Sequence, residues 1–172
     1  MKMQYLYVIR KATTEDANRL AEIHVFGWRF AYRNLIPDDF LFKKMEVVKR
    51  AASFKQSIEE NREDTYVYEE DGIIKSFMTV GPCRDEGKKG SYEIWGIYVD
   101  PLMTRSGIGT RMVEFCENIA LKSGYREILL WVLEGNEIGI NFYKKSGFQH
   151  DGPVKLLENF NRNVYRYCKP LG

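Results

Sequence analysis

The stretch that most constrains this chain is Tyr98-Val99-Asp100-Pro101-Leu102-Met103-Thr104-Arg105-Ser106-Gly107-Ile108-Gly109-Thr110, where a strand runs through a turn into a helix. Glycines let backbone N–H groups come close to a ligand, and a helix start adds unpaired donors and a partial positive charge. The chemistry of such a loop is anion binding, with a pyrophosphate as the natural guest. The sequence carries no GxxxxGKS/T, so a P-loop is excluded, and Gly107-Ile108-Gly109 lacks the third glycine of a dinucleotide fingerprint. Kinases, nucleotide hydrolases and dehydrogenases therefore drop out.

The rest of the chain reads as alternating short strands and helices. Tyr5 to Arg10 is β-branched and aromatic, as a first strand would be. Thr13 and Thr14 offer N-caps, and Ala17, Leu20, Ala21, His24, Trp28 and Ala31 keep helical spacing as far as Tyr32. Pro37 closes that region, and a second helical stretch is expected from Asp38 to Glu60, with polar interruptions. Tyr66–Glu69 and Ile73–Val80 form a hairpin around Asp71-Gly72, and Ser91–Val99 adds a third antiparallel strand.

After the glycine loop, Ile108, Met112, Phe115, Cys116 and Ile119 define a helix ended by Gly124. A buried strand at Ile128–Leu133 and a short helix over Asn136–Lys145 follow. Strands at Phe148–His150 and Val164–Cys168 close the chain, with a loop expected over Pro153–Asn163. The order βααβββαβαββ without repeat or linker implies one α+β domain over residues 1–172.

Composition narrows the partners. With 26 basic against 24 acidic residues the net charge is only +2, too small a field to hold a polyphosphate backbone, so nucleic acid is not expected. No apolar run is long enough to span a bilayer, and Met1–Arg10 alternates polar and apolar residues rather than resembling a secretion signal. Cys83, Cys116 and Cys168 are odd in number and widely spaced, which points away from a disulfide framework or zinc site and towards a reducing cytoplasm. No metal is expected, and the sequence leaves both a monomer and a homodimer open.

A second block, Asn136-Glu137-Ile138-Gly139-Ile140-Asn141-Phe142-Tyr143-Lys144-Lys145-Ser146-Gly147-Phe148, follows the glycine loop in chain order. Together the two blocks resemble the GNAT superfamily of N-acyltransferases. Its signature is a strand, an Asp/His-Pro turn and Q/R-x-x-G-x-G/A opening a helix, followed by N-x-x-A-x-x-F-Y-x-x-x-G-F. Here Thr104 stands at the usual Gln or Arg position, with Arg105 one place later, and Gly139 replaces the usual alanine. The resemblance implies a GNAT fold: a mixed, mostly antiparallel sheet flanked by helices and splayed between the fourth and fifth strands. It also implies acetyl-CoA as acyl donor and an amine acceptor. The alternative is a module of the same fold that binds acyl-CoA as a sensor or scaffold without turnover.

The resemblance also distributes roles. The pyrophosphate falls to Thr104, Arg105, Ser106, Gly107, Ile108, Gly109 and Thr110, and the pantetheine arm to the backbone of Ile97, Tyr98 and Val99 and to Asn136. Asn136 also reads as an ordinary N-cap, a role that leaves its amide donors free. Tyr143 is implied as proton donor to the departing thiolate, since a phenol is a neutral donor near neutral pH; its other reading is a packing aromatic. Glu93, on the strand through Gly96, is the candidate base, taking the amine proton directly or through water; its other reading is a solvent-facing strand residue. Gly96 itself suggests a bulge. His24, Trp28 and Tyr32 are the candidate acceptor-binding residues, on a helical face that equally well reads as core.

Overall fold

The computed structural model describes residues 6–172. The described residues form seven strands and four α-helices in the order β-α-α-β-β-β-α-β-α-β-β. The strands are β1 (Tyr7–Lys11), β2 (Asp64–Glu70), β3 (Ile73–Pro82), β4 (Tyr92–Val99), β5 (Glu127–Leu133), β6 (Gln149–Leu157) and β7 (Arg162–Pro170); the helices are α1 (Ala17–Ala31), α2 (Val47–Glu59), α3 (Ile108–Lys122) and α4 (Glu137–Lys145). The expected beginning of the first strand at Tyr5 lies outside the described residues.

The strands form one sheet in the order β1-β2-β3-β4-β5-β7-β6. Every neighbouring pair is antiparallel except β4–β5, which is parallel. The β2–β3 turn places Asp71 and Gly72 both at positive φ, the requirement of a type I′ hairpin. Helices α1 and α2 cover one face of the sheet through Leu20, Ala21, Ile23 and Phe54 against Val67, Ile74 and Phe77. Helix α3 covers the other through Met112, Val113, Cys116 and Ala120 against Tyr68, Met78, Ile94 and Ile128. Each helix buries the stripe set by its three- and four-residue spacing, and each strand alternates its side chains between the two faces.

Two stretches differ from the sequence reading. The region Asp38–Glu60 is not one helix: a π-helical turn at Phe40–Lys44 is separated from α2 by an extended Met45. The cause is long-range, because Arg29 on α1 donates to the carbonyls of Leu41 (2.9 Å) and Met45 (3.1 Å), which holds the turn tight and breaks its continuation. Likewise most of Pro153–Asn163 is not loop. Residues up to Leu157 belong to β6, and only a one-turn 3₁₀ segment at Glu158–Phe160 joins it to β7. β6 is an exposed edge strand, so one face of burial is missing from its sequence and no alternation announces it.

The sheet opens where it matters. β4 and β5 pair only at Tyr92–Ile128 and Glu93–Leu129. From Ile94 onward they diverge, as the bulge beside Gly96 shifts the β3–β4 register between Thr79 and Val80. The β5-facing backbone edge of β4 beyond Glu93 is therefore left without a strand partner.

Candidate acyl-donor site

A cleft of about 630 Å³ lies at this opening. Its floor is Ile97–Val99 of β4, one wall is the loop Thr104–Gly107 with the start of α3, and the other is α4 with Asn136, Phe142 and Tyr143. Tyr32 and Phe30 from the end of α1 complete it. Thus every residue expected to hold the acyl donor, from Ile97 to Val99, Thr104 to Thr110 and Asn136, lines one cavity. Tyr143 and Tyr32 join them there.

The loop is fixed from behind. Asp100 accepts from the backbone N–H of Leu102 (2.9 Å) and from the Arg19 guanidinium of α1 (2.6 Å), while Arg19 also donates to the Ile74 carbonyl (3.0 Å). Pro101 then starts a 3₁₀ turn, and Ser106 donates to the Met103 carbonyl (2.6 Å). Arg105 and Gly107 both take positive φ as the chain enters α3, whose first turn borders the cleft with no side chain capping its N–H groups. A helix N-terminus in that state is an anion site.

The glycines have separate reasons. Gly107 is the left-handed N-cap at φ +79°, with nothing within 4 Å of where a Cβ would stand. At Gly109 a Cβ would meet the Phe142 ring at 3.0 Å. Gly109 thus seats α4 against α3, a packing role the sequence reading, which gave both glycines to ligand approach, did not contain. Gly139 is explained the same way: Asn136 folds over it, accepting from its N–H (3.1 Å), and a Cβ there would lie 2.5 Å from the Asn136 amide nitrogen. The alanine usual at this position would displace the cap. The Asn136 Nδ2 group has no bonding partner among the described residues and borders the cleft.

Three phenols converge on the cavity. Burial pushes the Tyr143 hydroxyl well above the ordinary tyrosine range, with the neighbouring Tyr98 adding to it. Tyr32 is raised in the same way, by burial first and then by Tyr98 and Tyr143. Tyr98 is raised by burial, opposed by the hydrogen bond that its hydroxyl accepts from Trp28 Nε1 (3.2 Å). All three are neutral proton donors at neutral pH.

The remaining candidates lie elsewhere. Glu93 is neither solvent-facing nor in the cavity lining: it is 2% exposed, at the last paired rung before β4 and β5 part. Its carboxylate accepts from Arg84 Nη2 (2.8 Å) and from the Arg84 backbone N–H (2.9 Å), which is what allows it to be buried. The carboxylate is thus turned to Arg84. Trp28 and His24 stand one layer behind the lining, against Tyr98; the His24 and Tyr98 ring centroids are 4.8 Å apart. Burial, with the Arg50 charge added, pushes the His24 imidazole down to about 3, so it is neutral and a poor base at physiological pH. Arg84 and Arg50 were missed; neither has a local sequence signal, because their partners lie 9 and 26 residues away.

Among the described residues no helix is long and apolar enough to cross a membrane. Comparison with known proteins supplies the rest. The chain is 28% identical over 143 residues, 81% of its length and 78% of the relative's, to the uncharacterized N-acetyltransferase YuaI of Bacillus subtilis (strain 168). It is 23% identical over 160 residues, 87% of its length and 94% of the relative's, to a spermidine N(1)-acetyltransferase of Thermoplasma acidophilum. Its fold matches the crystal structure of the PaiA N-acetyltransferase of Thermoplasma acidophilum in complex with coenzyme A, with a TM-score of 0.77 at 20% identity over 96% of this chain and 99% of that one. The sequence model of the Acetyltransferase (GNAT) family matches residues 28–148. The cleft, the split sheet and these matches agree: the chain belongs to the GNAT acetyltransferase family.

Proposed function

We propose that this chain moves an acetyl group from acetyl-CoA to a primary amine, on a small molecule, a peptide N-terminus or a lysine, by direct attack in a ternary complex. On this reading residues 1–172 act as one cytoplasmic domain. The observation that carries it is that Tyr143 lines the same cleft as the uncapped start of α3 and the unpaired edge of β4. The residues fit the donor: backbone N–H groups from Arg105 to Thr110 suit a pyrophosphate, and the open β4 edge at Ile97–Val99 suits an amide-bearing arm.

The chemistry forms one N–C bond and breaks one C–S bond. The amine loses a proton, and the departing sulfur gains one. Free N–H groups on the β4 edge would stabilise the carbonyl oxygen as it takes charge. Tyr143, a half-buried neutral phenol, donates to the sulfur. The amine proton leaves through water, with Glu93 at the apex of the split as its receiver. A thiol-release assay with acetyl-CoA across a panel of amines tests the proposal. Acceptor-dependent release supports it; CoA binding with no release for any amine supports the sensor alternative.

A further inference from the structure

Tyr98 carries a hydroxyl whose proton the fold does not use. Its oxygen receives Trp28 Nε1–H at 3.2 Å. An indole N–H only donates, so the phenol is the acceptor in that bond and its own proton is directed elsewhere. Among the described residues no acceptor lies within hydrogen-bond distance of it. Tyr98 is half-buried and lines the donor cleft, as Tyr32 and Tyr143 do.

The ring is built into its position. Residues two apart on a strand share a face, and Tyr98 lies back along β4 over Gly96. A Cβ at Gly96 would stand 2.8 Å from Tyr98 Cε2 and 3.3 Å from the hydroxyl oxygen, so any side chain there would push the ring away. The glycine thus serves the ring as well as the bulge. Phe77, with ring centroids 5.2 Å apart, and His24, edge-on at 4.8 Å, hold the ring from its sides. On α1 a Cβ at Gly27 would already touch Tyr98 Cδ1 at 3.7 Å. The hydroxyl is therefore fixed over the stretch of β4 that has left β5, since the two strands pair only as far as Glu93. That stretch is where the reading above places the reacting carbonyl.

We propose that the Tyr98 hydroxyl donates a hydrogen bond to the acyl oxygen of the donor and, beside the β4 backbone, stabilises that oxygen in the tetrahedral intermediate. This rests on the acetyl-transfer reading above. As the amine nitrogen bonds to the carbonyl carbon, the C=O π pair moves onto oxygen, and the Tyr98 O–H meets that charge without giving up its proton. When the pair returns, the C–S bond breaks and its electrons leave with sulfur, which Tyr143 protonates. The amine proton leaves through water, as before. Tyr98 keeps its proton throughout and needs no regeneration. Trp28 strengthens it, because a phenol that accepts one hydrogen bond is a better donor in the next. A donor locked in place beforehand also costs no reorganisation during the reaction.

Tyr98→Phe deletes the hydroxyl and keeps the ring over Gly96. On an acceptor found by thiol release, kcat should fall about a hundred- to thousandfold, with acceptor KM and calorimetric CoA affinity kept. The variant also leaves Trp28 Nε1 without its partner, so the melting temperature should drop by a few degrees. Trp28→Phe breaks the same hydrogen bond from the other side and controls for that loss: it should lower kcat far less. A parent-like kcat in Tyr98→Phe, equal losses in the two variants, or a loss carried by acceptor KM overturns the proposal. A second readout needs no turnover. The infrared carbonyl stretch of acetyl-CoA, isotopically labelled at the thioester carbon and bound without amine, should lie at lower frequency in the parent chain and in Tyr143→Phe than in Tyr98→Phe. The same frequency in the parent chain and Tyr98→Phe overturns the hydrogen bond and leaves acetyl transfer standing. If no amine is acetylated, that frequency decides alone: a shift lost only in Tyr98→Phe upholds the hydrogen bond while the transfer reading fails. If Tyr98→Phe does not fold, fluorotyrosine at position 98 takes its place; its more acidic phenol should move the carbonyl band lower still, and an unmoved band overturns the proposal.

Discussion

Replacing Gly109 by alanine separates a packing role from a ligand role. Built on the present backbone, the new Cβ would stand 3.0 Å from Phe142 Cζ and 3.2 Å from Cε2, so the ring must give by a few tenths of an ångström. Overpacking of this kind costs about 1–3 kcal/mol, and alanine returns up to about 1 kcal/mol of helix propensity, less in a first turn. The net loss of stability is therefore small, about 0–2 kcal/mol, which shifts the melting temperature by only a few degrees in a domain of this size. The functional effect should be larger. Phe142 and Tyr143 are neighbours on α4 with ring centroids 5.2 Å apart, so moving one ring moves the other. A misplacement of about 1 Å at a reacting group can cost on the order of a hundredfold in rate. Thermal melts, calorimetry with CoA and steady-state thiol release on Gly109→Ala, Phe142→Leu and the double variant provide the cycle. Phe142→Leu makes room for the Cβ, so the double variant should recover kcat, with a coupling of at least about 1 kcal/mol. Strict additivity, or a loss confined to CoA affinity, would show that Gly109 serves ligand approach and that its contact with Phe142 is incidental.

Other consequences follow from single contacts. His24 is depressed to about 3 in the folded state from an ordinary 6.5, so between those values only the unfolded chain binds the proton, and stability present above pH 6.5 is lost as pH falls. The loss at pH 5 should be about 2 kcal/mol, and urea unfolding of His24→Leu should lack that increment; an unchanged pH dependence would refute it. Arg19→Met strips Asp100 of its charged partner behind the Asp100-Pro101 turn, and should cost about 2–4 kcal/mol by urea unfolding together with weaker CoA binding. Full CoA affinity in that variant would mean the turn holds itself. Gly139→Ala should leave stability nearly unchanged, because lost capping of about 1 kcal/mol is offset by helix propensity, yet lower CoA affinity by turning the Asn136 amide away. Unaltered calorimetry would assign Asn136 to capping alone.

What could be read in the sequence was what is local. The donor loop and the Asn136–Phe148 block are each contiguous, so a strand, a turn, a glycine and a helix start declare their geometry without knowledge of the rest. The split at β4 was announced by Gly96 in an otherwise unbroken strand. What failed was non-local. Asp38–Glu60 has helical periodicity, but the break at Met45 is imposed by Arg29 from another helix. β6 is exposed along almost its whole length and offers no alternation to detect. Glu93 looked like a free carboxylate because nothing in its neighbourhood predicts that Arg84, across a loop, will bind it at two points.

The turnover of Tyr143→Phe tests the central claim most directly. The substitution keeps the ring that packs against Phe142 and Phe148 and deletes only the hydroxyl, which has no hydrogen-bond partner among the described residues, so fold and CoA affinity should persist. Measured on an acceptor found by thiol release, kcat should fall about a hundred- to ten-thousandfold. A kcat equal to that of the parent chain would contradict the claim that this cleft protonates the departing thiolate through Tyr143.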